Sequence, residues 1–191
     1  MHQLLSTLSR FHPVPPALEA YLLTHVEYRT FPKKAVILKT GQICRYVYFI
    51  ETGLVRHVVR TENAEYTPWI LKEGDIATSV KSFLYQVPAT DSMVTIEKTT
   101  VIMLSFDDLE AGCRLHPELA IIREKVKEKY YDRKEDRDHL MGTLSLNERY
   151  EYLLRHEPDL TVRVPIEILS SYLGMSSKKL YDIRKELSDG R

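Results

Sequence analysis

The chain has 191 residues, 43% hydrophobic and 28% charged, with Lys+Arg 27 against Asp+Glu 27 and a formal net charge of +0 at pH 7. This composition fits a globular chain that buries a core, as one ordinary domain or two small ones. The neutral balance argues against a chain that is basic all over, as dedicated nucleic-acid binders usually are, but not against a local basic patch.

Residues 3–27 carry apolar side chains at Leu4, Leu5, Leu8 and Phe11, then at Leu18, Tyr21, Leu22 and Val26. That spacing predicts two short helices broken at Pro13-Val14-Pro15-Pro16. From Tyr28 the period changes. The segments YRTFP, AVIL, YVYFIE, LVRHVVR, EYTPWIL, SMVTIE and TVIMLS are short and rich in β-branched and aromatic residues. Turn residues separate them, at Pro32-Lys33-Lys34, Gly41, Thr52-Gly53, Glu62-Asn63, Gly74-Asp75 and Lys98. Many short strands at close intervals predict an antiparallel roll or sandwich. FIETGLV reads as a tight hairpin whose Gly53 takes positive φ.

Helical signals return at Ser105, a good N-cap followed by Asp107 and Asp108. Pro117 suits the start of a long charged helix with Leu119, Ile122, Val126 and Tyr130 along one stripe. That stripe is either a dimer seam or the face packed on the chain's own roll. The polar stretch 127–138 reads as a solvated face.

Residues 146–191 read as a small separate helical unit. NERYEYLLRHEP is amphipathic, with Tyr150, Leu153 and Leu154 on one side and Pro158 at its end; TVRVP reads as extended. Two further helices are predicted, over 165–173 and 176–187, hinged at Gly174 with Ser176 as N-cap of the second. Ile168, Leu169, Leu173, Leu180, Ile183 and Leu187 repeat at helical spacing and form the expected inner face.

The fold class is therefore α+β: an antiparallel β-roll of cupin-like jelly-roll type, a long connecting helix and a C-terminal helix-turn-helix. The expected domains are residues 1–116, 117–145 and 146–191. In order and spacing, KTGQICRYVYFIETGLVRHVV (39–59), WILKEGDIATSVKSF (69–83), ERYEYLL (148–154) and RVPIEILSSYLGMS (163–176) resemble the Crp/Fnr family of bacterial transcription regulators, most of all a branch common in Bacteroidetes. The resemblance spans nearly the whole chain. It implies a cytoplasmic homodimer that meets its mate along the long helix, through Leu119, Ile122, Val126 and Tyr130, and binds DNA through its C-terminal unit.

In members of that family that bind cyclic AMP, a short helix after the Gly-Asp turn presents a Gly-Glu pair, and an Arg-Ser pair follows about ten residues on; the arginine fork neutralises the phosphate and the glutamate accepts a ribose hydroxyl. Aligned from Gly74 without gaps, the matching positions here are Thr78-Ser79 and Ala89-Thr90. Arginine and glutamate are both missing. Lys81 is the one cation nearby, and a point charge does not reproduce a bidentate clamp. Cyclic AMP is not the expected effector. Either an unknown small molecule is held by Ser79, Ser82, Phe83, Thr90 and Ser92, or the pocket is packed shut by its own side chains.

An enzyme is not expected. The histidines, His2, His12, His25, His57, His116, His139 and His156, include no pair two apart on a strand of the kind a cupin metal site uses. No spacing suggests a Ser/His/Asp or Cys/His set, and no GxxxxGK loop occurs. Two cysteines, Cys44 and Cys113, stand outside CxxC spacing, too few for a cysteine-bound iron–sulfur cluster within one chain and suited to a reducing cytosol. No cofactor or metal is expected. No leader with a basic start and a long apolar run is present, so neither a signal peptide nor a membrane span is expected.

On the second helix of the helix-turn-helix, Ser177, Lys178, Tyr181 and Asp182 are expected to face bases and Lys179, Arg184 and Lys185 to hold phosphates, with Ser176 at the helix start. Well-known relatives carry Arg-Glu and a further Arg where Ser177, Lys178 and Asp182 stand here. Asp182 accepts from cytosine but repels phosphate, and pairs at helical spacing with Lys178 or Lys179. The four residues after Leu187 are too few for the family's β-hairpin wing. Residues 140–191 hold eight Lys and Arg and eight Asp and Glu, so weak, salt-sensitive DNA binding is expected. The rival reading is a ligand-binding or protein-interaction module with a vestigial tail.

Overall fold

The computed structural model describes residues 1–62 and 64–189. Asn63, assigned above to a turn, and Gly190 and Arg191, two of the four residues after Leu187, lie outside the described residues. The elements in chain order are α1 (His2–Ser9), α2 (Pro16–His25), β1 (Glu27–Phe31), β2 (Val36–Leu38), β3 (Tyr46–Thr52), β4 (Val55–Arg60), β5 (Glu65–Tyr66), β6 (Ile70–Leu71), β7 (Ile76–Ala77), α3 (Val80–Tyr85), β8 (Ser92–Thr95), β9 (Thr99–Ser105), α4 (Phe106–Leu115), α5 (Pro117–Thr143), α6 (Leu146–His156), α7 (Pro158–Arg163), α8 (Ile166–Leu173) and α9 (Ser177–Asp189). They form two compact units, Met1–Val58 with Ile70–Tyr130, and Val59–Trp69 with Tyr131–Arg191. The division differs from the boundaries read in the sequence: α5 is shared between the units, and the distal part of the β4–β5 hairpin belongs with the C-terminal helices.

In the first unit one antiparallel sheet runs β1-β9-β3-β7, and a second places β8 between β2 and β4, with β6 also on β4. Ile50, Val101 and Ile102 from one sheet and Leu38, Val55 and Met93 from the other share a core with Leu18 and Leu22 of α2. Tyr21 of α2 stacks on His25 of the same helix and donates to the Asp108 carbonyl at 2.7 Å, which ties α2 to α4.

Two expectations fail here. FIETGLV is not a hairpin: β3 pairs with β7 and β9, whereas β4 pairs with β8, β5 and β6, so Gly53 carries the chain from one sheet to the other. Its φ of +98° is as expected, but the deeper demand is space, since a Cβ there would lie 2.6 Å from the Lys98 carbonyl and 2.8 Å from Thr99 Cα. The Leu119/Ile122 stripe is not an open dimer seam either. Both side chains are buried in the core of their own roll and Val126 packs against it; Tyr130 is half-buried. Burying such side chains in the roll contributes about 1.5–3 kcal/mol each, and a side chain so placed cannot also pack on a partner.

In the second unit β5 pairs with the far end of β4, Val59 opposite Tyr66 and Arg60 opposite Glu65. The Thr67 N–H donates to Ser171 Oγ of α8 at 2.9 Å. Arg133 and Arg137 of α5 lie over the Trp69 ring, which accounts for the hairpin's place in this unit. Ser145 and Glu148 form a capping box at the start of α6. Of the predicted extended TVRVP, residues 161–163 are instead the end of α7 and Val164 is extended, and Pro158 opens α7 rather than ending α6. Proline at the first helical position gives up an N–H that has no partner there anyway.

Candidate functional site: the helix-turn-helix and the roll's ligand segments

α8 ends at Gly174, whose φ of +69° is the left-handed C-terminal turn, and the Met175 N–H returns to the Ser170 carbonyl at 3.0 Å. Ser176 Oγ then accepts from the Lys179 N–H at 3.2 Å and starts α9. Leu169, Leu173, Leu180 and Ile183 are buried between the two helices and α6, with Leu160 and Leu153 beside them. Ile168 and Leu187 are half-buried.

Outside that core α9 presents Lys178, Tyr181 and Lys185, with Tyr181 61% exposed. Ser176 is exposed too; Lys179 and Asp182 are half-exposed on the flanks. The expected pairing of Asp182 with Lys178 or Lys179 does not form among the described residues, which leaves those two lysines free to meet anions. Ser177 is drawn inward by its contact with Ser170 Oγ at 3.0 Å.

Arg184 is a correction. Instead of facing solvent it lies over the Tyr150 ring, 5.5 Å from its centroid, and donates through Nη2 to the Thr161 carbonyl at 3.0 Å. It follows Leu180 by four residues and Ile183 by one, so it falls on the inner side of the helix. The phosphate role assigned to it is therefore not available in this arrangement.

Sequence reasoning passed over two other arginines. Arg149 donates to the carbonyls of Met141 at 2.7 Å, Leu144 at 3.0 Å and Leu173 at 3.2 Å. Arg137 donates to the Tyr172 carbonyl at 2.6 Å and stacks on the Tyr172 ring at 4.2 Å. Together they satisfy orphan carbonyls at the ends of α5 and α8 and fix the turn that precedes α9. Burial pulls the Arg137 guanidinium below its ordinary value, against the favourable pull of Tyr172.

In the roll, the residues expected to line a pocket mostly face inward. Ser82 accepts from the Cys44 N–H at 2.8 Å and donates to the Val87 carbonyl at 2.5 Å, and Phe83 packs edge-on against Phe106. Thr78 Oγ1 donates to the Tyr46 carbonyl at 3.3 Å, and Ala89 is buried. Ser92 Oγ receives the Thr40 N–H at 3.0 Å, while Lys81 and Thr90 are exposed.

Ser79 joins a cluster that spacing did not reveal. Asp91 accepts from His57 Nδ1 at 2.6 Å and from Ser79 Oγ at 2.5 Å. His57 stands directly opposite Met93, so Asp91, two residues earlier, is its diagonal neighbour on the same face of β4 and β8. Burial pushes the Asp91 carboxyl up, but the hydrogen bonds from His57 and Ser79 and the His57 charge outweigh it and hold the group below its ordinary value. The cluster is not a Ser–His–Asp triad: Ser79 donates to the carboxylate, not to the imidazole, so the histidine does not act on its oxygen. Among the described residues no group of His, Cys, Asp and Glu could hold a metal ion, and no helix is long and apolar enough to cross a membrane.

Residues 28–116 match the cyclic nucleotide-binding domain family. FixK2 from Bradyrhizobium japonicum has the same fold with a TM-score of 0.74, at 17% identity over 86% of this chain and 85% of that one. The c-di-GMP responsive global regulator CLP of Xanthomonas campestris aligns with a TM-score of 0.69, at 18% identity over 92% of this chain and 93% of that one. The catabolite activator protein of Thermus thermophilus aligns with a TM-score of 0.56, at 20% identity over 96% and 87%. No curated protein matches at the level of sequence. Residues 28–116 thus match a cyclic nucleotide-binding domain, and the chain shares the Crp/Fnr fold of roll followed by helices that its sequence motifs led one to expect.

Proposed function

We propose that this protein is a cytoplasmic transcription regulator of Crp/Fnr type that reads DNA with α9. The exposed row Lys178, Tyr181 and Lys185 on a capped helix behind the Gly174 turn carries this reading. Such a helix lies in the major groove with its N-terminal residues toward the bases. Lys178, Tyr181 and Asp182 face base edges; Lys179 and Lys185 hold phosphates. Two copies are needed for two half-sites about one helical turn apart. Dimerisation then uses the outer side of α5, where Ile121 is exposed, and not the buried Leu119 stripe.

The roll does not take cyclic AMP in the usual way, because Thr78-Ser79 and Ala89-Thr90 offer neither the arginine fork nor the glutamate. The inward-turned Arg184 and the balanced charge of the C-terminal residues favour a second reading, a ligand-binding or protein-interaction module without DNA affinity.

Selection of genomic fragments on the purified protein in low salt separates the two. A palindrome with half-sites about ten base pairs apart is the expected result. Changing Lys178 and Lys179 together to alanine should then weaken binding and flatten its salt dependence by about one unit of slope, about 0.9 for the phosphate that Lys179 no longer neutralises. An unchanged slope removes Lys179 from the phosphate contacts.

A further inference from the structure

The Ser79–Asp91–His57 cluster lies in the roll and joins the segments that, in members of the family that bind cyclic AMP, hold the ligand. Ser79 belongs to the segment aligned with the family's Gly-Glu pair, and Asp91 directly follows the segment aligned with its Arg-Ser pair. The hydrogen bond between them ties the two segments together, and His57 ties both to β4. Ser79 and His57 are more than nine-tenths buried.

We propose that Asp91 is an internal anion that occupies the donors between these segments and bars phosphate-bearing ligands from the roll. This role rests on the reading of the roll as one that does not take cyclic AMP in the usual way. Two physical facts carry it. First, Ser79 has one proton to donate, and it goes to Asp91; Ser79 precedes α3 but makes no capping bond to that helix. Second, an ionised carboxylate held in a half-buried site repels a phosphate brought beside it, and the low local dielectric strengthens that repulsion. Where a cyclic-nucleotide binder must bring its negative charge with the ligand, this chain supplies its own. The ligand class excluded is anionic, cyclic nucleotides first among them.

The test is titration calorimetry of the full chain, wild type, Asp91→Asn and Ser79→Ala, with cyclic AMP and with adenosine. Asn keeps the shape of Asp91 and removes its charge. Asp91→Asn should bind cyclic AMP at least about tenfold more tightly than wild type, with adenosine unchanged, because only the phosphate feels the charge that was removed. Ser79→Ala keeps the carboxylate and should gain nothing. Asp91→Ser, also uncharged, serves as a second probe of the same point should Asn prevent folding, judged by circular dichroism. If neither uncharged variant gains affinity while wild type stays non-binding, the internal anion is wrong and the degenerate pocket stands. If adenosine gains as much as cyclic AMP, the effect is one of space and the proposal also fails. Tight cyclic AMP binding by wild type would overturn both the proposal and the reading of the roll beneath it.

Discussion

Arg184 lies over the ring of Tyr150, with the guanidinium 5.5 Å from the ring centroid. On the reading proposed above, α9 would spend its cations on DNA; here one of them instead binds α9 to α6 and, through the Thr161 carbonyl, to α7. The unit thereby gains a polar anchor at its centre and gives up one cation that could have met a phosphate.

Arg184→Ala should therefore lower the stability of the C-terminal helices by about 1–3 kcal/mol, because the Tyr150 ring no longer has a cation over it and the Thr161 carbonyl is left unpaired. It should leave the salt slope of DNA binding unchanged, in contrast to Lys179→Ala, which should reduce it by about 0.9. Thermal melts and fluorescence anisotropy over a salt series read the two effects separately. A reduced slope in Arg184→Ala would return this residue to the DNA face.

Leu119 distinguishes a roll-packing helix from a seam. Leu119→Ala should destabilise the roll by about 2–5 kcal/mol, as for other leucines removed from a packed core. The loss should be the same at low and high protein concentration, since the side chain is buried within one chain. A destabilisation that disappears on dilution would place Leu119 between subunits.

Asp91 gives the roll a dependence on acid. Its carboxyl ionises more readily in the folded chain than in the unfolded one, so its contribution is present above the unfolded value of about 3.9 and is lost as pH falls through the lower folded value. Wild type should be more stable than Asp91→Asn at neutral pH, and the gap should close below about pH 4. Urea denaturation at a series of pH values measures it. A gap that persists unchanged into that acid range would mean that the charge is not what His57 and Ser79 stabilise.

Sequence alone determined the architecture because local rules act there without competition. Short β-branched runs between turn residues define the roll, Pro117 opens α5, and Ser105, Ser176 and Gly174 mark helix ends through capping chemistry that needs only neighbours. The helix-turn-helix was legible for the same reason, since its buried and exposed sides follow the helical period. Where the local signal was ambiguous, the reading failed. Pro158 can end one helix or begin the next, and the burial of Leu160 inside the C-terminal unit decides that it begins α7.

Tertiary structure decided which partner each ambiguous side chain takes. The Leu119 and Ile122 stripe is equally apolar whether it faces a second chain or its own sheet; the roll's core claims it. Thr52-Gly53 can turn a hairpin or cross between sheets, and the pairing of β3 with β9 and of β4 with β8 settles the matter. His57 and Asp91 are 34 residues apart and become neighbours only through the β4–β8 register, where a shift of one residue would put them on opposite faces. Periodicity tells which side of an element is apolar; only the packed chain tells what that side meets.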